Sequence, residues 1–278
     1  MEENTKDIAL IGGDLLFHSI AAAAEYGNDP DDVDLEEVYH SMEVRASNVM
    51  IDAGCTHRRI FLTKSNFRYW IAGDYKANRK DSWRPECLKH VMNYAEMFMG
   101  AETFQGLEAD DLLAINQKEN TVICTIDKDL QQIDGRHYRW AYLGKESESF
   151  TVTEGWRKFY VQLLIGDATD GIIGCGVKKT LIYKSGAKVG QEYQRRSGVG
   201  EKAAEQLIAT CSSEAQALDV CMKEYGKVFG DKALGKLIQQ ARLLHMIREM
   251  DGDYAKMWTP FDTNAEWLNV KTGVWLDG

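Results

Sequence analysis

The chain has few prolines, no paired cysteine motif and no long hydrophobic run. Only three prolines occur in 278 residues, and no linker or internal repeat divides the sequence. The six cysteines are scattered without a C-x-x-C spacing, which is typical of buried thiols in a reducing compartment rather than of disulfides or a zinc site. No apolar stretch approaches the ~18 residues that a membrane-spanning helix needs. We therefore expect a cytoplasmic protein with no membrane partner.

Positive charge is also scarce overall, although it is concentrated locally. The formal net charge of −10 argues at first against a nucleic-acid ligand. Eight carboxylates in distinctive patterns account for most of this charge, and bound cations would neutralise several of them. The range 174–202 holds seven Lys or Arg against two Glu, and the range 75–80 adds three more basic residues. Local basic segments around an acidic centre suit a phosphodiester substrate.

The sequence lacks the patterns of covalent and zinc catalysis but contains four separated groups of acids. No H-x-H, H-E-x-x-H or nucleophile–His arrangement is visible. Each acidic group follows an apolar run, so packing would bring the acids to one edge of the fold, where they would repel one another. Hard divalent cations such as Mg²⁺ or Mn²⁺ prefer such oxygen ligands. The predicted metal ligands are Asp14, Glu108, Asp110, Asp111, Asp127, Asp129, Asp167 and Asp170.

Each acidic group also has an ordinary structural explanation. Glu108 and Asp111 lie three residues apart on a predicted helix and so share a face, but a helix dipole also favours acids in the first turn. The two later pairs could lie in a solvated turn or cap a helix. The occurrence of all four groups in one chain favours a metal-dependent nuclease over these separate explanations.

Hydrophobic periodicity predicts an α/β fold with a mostly parallel central sheet flanked by helices. Apolar runs predict strands at 7–13, 59–63 and 121–126, with helical patterns between them at 35–55 and 86–100. Strands that alternate with helices indicate a parallel sheet, whose binding sites lie at the carboxyl ends of the strands. We predict two domains, 1–152 with the sheet and 153–278 with helices.

The second predicted domain has a helical pattern interrupted by a basic stretch. Helices are predicted at 156–165, 201–210, 214–229 and 233–250, and the tail from Asp251 is expected to pack back on the body. The Gly- and Lys-rich stretch between Gly174 and Gly200 is predicted to form a β-hairpin. Its basic part, 177–197, is either an additional ribbon that follows DNA or a solvated charged hairpin.

Six short motifs, taken together, resemble one nuclease superfamily. GDLL (13–16), YKANRK (75–80), GLEADD (106–111), TIDKD (125–129), GDATDG (166–171) and GVGEKAAEQL (198–207) occur in this order. The series, which covers about residues 7–210, resembles the flap endonuclease / 5′–3′ exonuclease superfamily, and most closely the bacteriophage 5′–3′ exonucleases. Six motifs in order are much more specific than any one of them.

This resemblance implies a PIN-like core, a helical arch at about 74–100 and a helix–three-turn–helix DNA clamp. It also implies hydrolysis near the 5′ ends of double-stranded or 5′-flap DNA, with RNA–DNA hybrids as a further substrate if RNA primers are removed in phage replication. The location would then be the host cytoplasm. Two Mg²⁺ or Mn²⁺ ions would activate water and stabilise the oxygens of an in-line displacement. A K⁺ ion at the clamp hairpin is a further expectation.

The resemblance also assigns roles to individual residues. Lys76 and Arg79 would stabilise negative charge on the scissile phosphate, and Asp14 and Asp129 are the other predicted catalytic residues. Glu108, Asp110, Asp111 and Asp129 would bind the first metal with Asp14 and Asp127 beside them, while Asp167 and Asp170 would complete a second position. The predicted DNA contacts are Arg68, Tyr75, Lys80, Gly198, Val199, Gly200 and Lys202.

One acid of the family pattern is missing. The family has a further Asp after its second strand, ahead of a Phe/Tyr–Arg pair, and here Phe67-Arg68 is present but no carboxylate stands between Phe61 and Phe67. Two alternatives therefore stay open, a PIN-like RNase and a catalytically decayed DNA-binding protein. The sequence also leaves open the balance between exonuclease and flap endonuclease activity, and the oligomeric state.

Overall fold

The first half of the chain forms a five-stranded sheet in the computed structural model, which describes residues 7–80, 82–260 and 265–276. Its strands are β1 (Ile8–Gly12), β2 (His57–Phe61), β3 (Thr121–Cys124), β4 (Gly135–Arg139) and β5 (Glu148–Val152). They lie in the order β2-β1-β3-β4-β5, and only β5 runs antiparallel to its neighbour. The predicted α/β fold with a mostly parallel sheet is confirmed.

Helices cover both faces of this sheet because alternate residues of each strand point to opposite sides. Ala9 and Ile11 of β1 join a core with three helices, whereas Leu10 joins a second core with a fourth helix. On the first face lie α1 (Gly13–Glu25), α2 (Leu35–Asp52) and, after a short helix α3 (Arg68–Ile71), α4 (Leu88–Phe98). On the second face lies α5 (Ala109–Asn116).

The segment expected to form a helical arch differs from that expectation. Between Asp74 and Cys87 the described residues contain a single 3-10 turn, Ala77–Arg79. Helix α4 does not stand free above the sheet, because Val91 and Ala95 are buried in the core of the first face. The described part of the chain contains no helix that is both long and apolar enough to cross a membrane.

A separate helical layer follows the sheet. It consists of α6 (Trp156–Ile165), α7 (Glu201–Ala209), α8 (Glu214–Phe229) and α9 (Ala233–Leu244), which share their own buried core. Between α6 and α7 the chain forms the predicted hairpin, with β6 (Gly176–Ile182) antiparallel to β7 (Glu192–Gly198).

The last part of the chain packs back on the body as expected, but one predicted helix is shorter than expected. The helix predicted at 233–250 ends at Leu244, because Arg68 binds the carbonyls of Leu243 and His245 and holds the following residues extended. The tail is not helical but forms an antiparallel sheet of β8 (Met250–Asp251), β9 (Tyr254–Met257), β10 (Glu266–Asn269) and β11 (Trp275–Leu276). It packs on the second face of the central sheet.

Candidate active site

The structure brings seven of the eight predicted acids to one cleft of about 550 Å³. The cleft lies at the carboxyl ends of the parallel strands, as is usual for α/β proteins. Asp14 follows β1, the pair Asp127 and Asp129 follows β3, and the remaining acids come from the start of α5 and the loop after α6. The seven acids are Asp14, Glu108, Asp110, Asp127, Asp129, Asp167 and Asp170.

Thr63 occupies the segment in which the family pattern has an additional acid. Its backbone N–H donates to Asp14 Oδ1 at 3.1 Å, and its hydroxyl donates to Asp14 Oδ2 at 2.5 Å. The same hydroxyl oxygen accepts the N–H of Ala109 at 2.9 Å. Thr63 thus joins the ends of β1 and β2 to the first turn of α5, and it orients the Asp14 carboxylate without adding a charge.

Asp111 lies apart from the seven acids of the cleft. Its oxygens accept hydrogen bonds from Arg68 at 2.7 and 2.9 Å and from the N–H of Ile247 at 2.9 Å, and the residue is 0% exposed. A carboxylate held in this way has little capacity left for a metal ion. The geometry therefore gives Asp111 a structural role and does not support the predicted role as a metal ligand.

Two of the predicted DNA contacts are largely buried. Arg68 is only 3% exposed and donates to Asp111, Glu108 and two backbone carbonyls. Tyr75 is 5% exposed, and its hydroxyl donates to Asp170 at 2.8 Å. The polar groups of Arg68 and Tyr75 are therefore bound by partners inside the fold and not by water. Lys80, in contrast, is exposed.

Basic side chains enter the cleft and pair with its acids. Lys76 donates to Glu108 and lies 3.6 Å from Asp170, to which Arg79 also donates. Lys76 has a left-handed backbone, with φ of 55°. Such a conformation is costly for a residue other than glycine and is common at functional sites. The predicted pair of Lys76 and Arg79 is therefore brought to the acids.

Two cleft residues were missed in the sequence. Lys158 of α6 lies 3.7 Å from Asp129, and Gln162, one turn further along α6, also lines the cleft. Their spacing of four residues places them on one face of the helix. In the sequence, the only local signal for these two residues is the basic side chain of Lys158, which precedes the GDATDG motif by more than one helical turn.

The basic side chains of the protein compensate only part of the negative charge of the acids in the cleft. Burial raises the pKa of Asp110 well above its usual range, and the neighbouring Asp127, Glu108 and Asp14 raise it further. Burial also raises the pKa of Asp14 and of Asp127, and it raises the pKa of Asp129 to about 6, with Asp127 adding to the effect. Positive charge in addition to the basic side chains would therefore stabilise the ionised cleft.

The chemistry of the cleft fits hard divalent cations. Oδ1 of Asp129 is a buried oxygen without a hydrogen-bond partner, and all the acidic side chains offer the oxygen ligands that Mg²⁺ and Mn²⁺ prefer. Among the described residues, no three acidic, His or Cys side chains are arranged to hold a metal ion as they stand. Lys76, Arg79 and Thr63 donate hydrogen bonds to carboxylate oxygens of Glu108, Asp170 and Asp14, respectively.

The raised pKa of Asp129 predicts how an Asp129→Asn variant depends on pH. A folded-state pKa of about 6 exceeds the ordinary value of 3.8, so ionisation of Asp129 destabilises the fold as the pH rises from about 4 to above 6. We expect the Tm of metal-free Asp129→Asn, relative to wild type, to increase across this interval. Thermal unfolding in EDTA between pH 4.5 and 7.5 measures this difference, and a constant difference would contradict it.

The glycine turn of the predicted DNA clamp joins the ribbon to α7. Gly198 ends β7, and a Cβ there would lie 2.2 Å from the carbonyl oxygen of Cys175, so the packing itself requires glycine. Arg196 donates to four carbonyls around the turn, including that of Val199. Gly200 is the N-cap of α7, and Glu201 lines the acidic cleft. The turn and Lys202 therefore adjoin the site, and the K⁺ site there stays a prediction.

Comparison with known proteins shows a similarity of fold. No family model matches the chain, and no curated protein matches it. The structure is similar to the flap endonuclease of bacteriophage T5 in complex with DNA and metal ions, with a TM-score of 0.52 and 13% identity over 85% of this chain and 98% of that one. The T5 protein co-crystallised with metal ions gives 0.53 and 13% over 85% of each chain.

A mutant of the T5 5′-exonuclease gives a similar result, with a TM-score of 0.52 and 14% identity over 86% of this chain and 84% of that one. The expected structural similarity to a bacteriophage 5′–3′ exonuclease is confirmed, at low sequence identity. The chain has an α/β fold like that of the T5 5′-exonuclease. At this identity the likeness concerns the fold alone.

Proposed function

We propose that the protein is a divalent-metal-dependent nuclease that hydrolyses phosphodiester bonds near the 5′ ends of duplex or flapped DNA. The observation that carries this proposal is the cleft in which seven of the eight predicted acids meet Lys76 and Arg79 at the carboxyl edge of the sheet. The structurally similar T5 flap endonuclease was crystallised with DNA and metal ions, which supports the proposal without identifying the substrate.

Mg²⁺ or Mn²⁺ would be held by the acids that are closest to the ends of β1 and β3 and to the start of α5. Bound there, such ions supply activation of water and stabilisation of negative charge during phosphodiester hydrolysis. Asp167 and Asp170 lie on the loop after α6 and would hold the second ion. The residues proposed for the first ion are Asp14, Glu108, Asp110, Asp127 and Asp129.

Lys76 and Arg79 would act as charged donors to the scissile phosphate. Burial lowers the pKa of Lys76, but Glu108 and Asp170 more than offset this effect and raise the pKa above its usual value. Lys76 therefore stays protonated and is unsuited to be a general base. With Glu108 and Asp170 bound to divalent cations, both basic side chains would be available to an anionic phosphate and to the charge that develops on it.

The β6–β7 ribbon is the proposed contact to duplex DNA beyond the cleft. Its register places Lys179 directly opposite Arg195, and Lys178 opposite Arg196. Like charges across a ladder are destabilising by themselves, so an anionic ligand would stabilise the ribbon. Lys178, Lys179 and Arg195 are exposed, whereas Arg196 is committed to the turn before α7.

A product-length assay on 5′-labelled DNA tests the proposed function. A 5′-flap, a blunt duplex and a nicked duplex are incubated in parallel with Mg²⁺, with Mn²⁺ and with EDTA. We expect metal-dependent release of mononucleotides or short oligonucleotides from the 5′ end. Loss from the 3′ end alone would reject the proposal, and matched RNA and RNA–DNA hybrid strands separate it from an RNase.

The presence of Thr63 at the end of β2 supports a second candidate function, a DNA-binding protein without catalytic activity. Thr63 contributes a hydroxyl, not a carboxylate, to the end of β2 and is bound to Asp14. In the assay above, binding of the 5′-flap without turnover in either Mg²⁺ or Mn²⁺ would favour this candidate.

A further inference from the structure

A second groove with different chemistry lies beside the acidic cleft. It has a volume of about 620 Å³ and runs between α3, α9 and β11. Two tryptophans line it, Trp70 with 57% and Trp275 with 36% of its surface exposed. Neighbouring exposed apolar side chains that form one patch commonly mark a contact surface. Neither ring belongs to the machinery proposed above.

The rings of this groove are held in place by the fold. Trp70 packs against Gly273, where a Cβ would come within 2.7 Å of the indole and where φ is +75°. The guanidinium of Arg242 lies over the ring of Trp275, 4.7 Å from its centroid. Gln239 links α9 to α3 through the carbonyl of Ile71 at 3.4 Å. The aromatic surface is therefore pre-organised.

Positive charge accompanies the rings, although the whole chain is acidic. Lys232 and Lys236 are exposed at the beginning of α9, and neither forms an ion pair within the described ranges. Arg242 is partly neutralised by Glu266 at 2.7 Å, and among the described residues that line the groove Asp231 is the one acid. The described residues that line the groove carry three positive charges and one negative charge, whereas the net charge of the chain is −10.

The groove is continuous with the acidic cleft. A cavity of about 290 Å³ lies between them and shares residues with both: Tyr75 and Asp170 also line the cleft, and Lys236 and Gln239 also line the groove. Lys178 of the β6–β7 ribbon and Asp74 line it as well. The acids and the tryptophans therefore lie on adjoining parts of the molecule.

We propose that this groove binds single-stranded nucleic acid. Bases would stack on Trp70 and Trp275, and the backbone phosphates would lie near Lys232 and Lys236, which is the combination that single strands require. A duplex is a poor occupant because its base faces are already covered by neighbouring bases. The assignment of the bound strand as the unpaired strand next to the cleavage site rests on the proposed function, whereas the binding itself does not.

Fluorescence anisotropy with a labelled oligothymidylate tests the binding in EDTA, where no cleavage can occur. We use a strand of about 12 nucleotides, within the usual site size of such grooves. Trp70→Ala, Trp275→Ala and Lys236→Glu are compared with Tyr26→Ala and Lys118→Glu, an exposed aromatic and an exposed lysine outside the groove. Each tryptophan variant is expected to weaken binding about 5- to 100-fold, and the controls are expected to bind as wild type.

Conservative variants show whether a loss of binding arises from misfolding, and comparison with the cleavage assay separates binding from catalysis. Trp70→Phe retains a ring and should keep most of the affinity, and Lys236→Glu changes only an exposed side chain on α9. Wild-type protein that binds no single strand, or groove variants that bind as tightly as wild type, would overturn the proposal. If the groove variants lose binding but the wild-type protein cleaves no DNA, the groove proposal stands and the nuclease proposal is rejected. If the wild-type protein cleaves DNA but the groove variants bind single strands normally, the groove proposal alone is rejected.

Discussion

Asp110→Asn is expected to stabilise the metal-free protein and to abolish cleavage. Asp110 is surrounded by Asp127, Glu108 and Asp14, and burial together with these charges disfavours its ionised form. Removal of the charge should raise the free energy of unfolding at pH 7.5 by on the order of 1 kcal/mol, or the Tm by about 2–4 °C. The same change removes a proposed metal ligand, so cleavage should fall by at least about 100-fold. Thermal unfolding in EDTA and the 5′-label assay measure the two effects.

Asp219→Asn is the matched control for this prediction. Asp219 is exposed on α8 and forms no ion pair with the described residues, so the variant should retain wild-type stability and activity. Mg²⁺ should raise the Tm of wild type and of the control, and much less that of Asp110→Asn. An Asp110→Asn variant that is less stable than wild type in EDTA and still cuts would show that the cleft acids are not a metal site.

The elements that were predictable from sequence are those with strong periodicity or clear boundaries. Helices α6 and α8 were predicted with their observed bounds, 156–165 and 214–229. Gly166 ends α6 with a positive φ of 74°, and Ser213 caps α8 through the N–H of Gln216. The apolar runs around β1 and β3 predicted both strands and therefore also the edge at which Asp14 and Asp127 meet.

The elements that were not predictable depend on distant partners. Strands β8 and β11 contain two residues each and have no periodicity to detect, so the sheet of the tail exists only because Ala255 and Leu268 pack on the central sheet. The end of α9 at Leu244 similarly depends on Arg68, which is 175 residues away in the sequence. Local propensity carries no information about such contacts.

For the candidate site, sequence located the acids but not their electrostatic partners. The motif GLEADD presents four neighbouring positions of which three are acidic, and only the fold separates their environments. The structure places Glu108 and Asp110 in the cleft and Asp111 against Arg68. Likewise, the missing acid after β2 was visible in the sequence, but the hydrogen bonds of Thr63 to Asp14 and Ala109 were not.

Asp110 and Asp111 are adjacent in the chain but have opposite electrostatic environments. The carboxylate of Asp110 meets three further acids, whereas that of Asp111 meets a buried guanidinium and a backbone N–H. The 100° rotation between successive residues of a helix points the first into the cleft and the second into the core. Neutralising either one therefore has effects of opposite sign on stability.

Asp111→Asn is expected to destabilise the protein strongly. The change leaves Arg68 without its principal counter-charge, although the guanidinium stays buried and bound to Glu108 and two carbonyls. Breaking a buried ion pair in this way costs about 3–5 kcal/mol, which denaturation with urea measures directly. Arg68→Met combined with Asp111→Leu should recover part of the loss, because no charge then remains buried without a partner. An Asp111→Asn variant with wild-type stability but weaker Mn²⁺ binding would instead return Asp111 to the group of metal ligands, and the interpretation of the Arg68 pair would have to be abandoned.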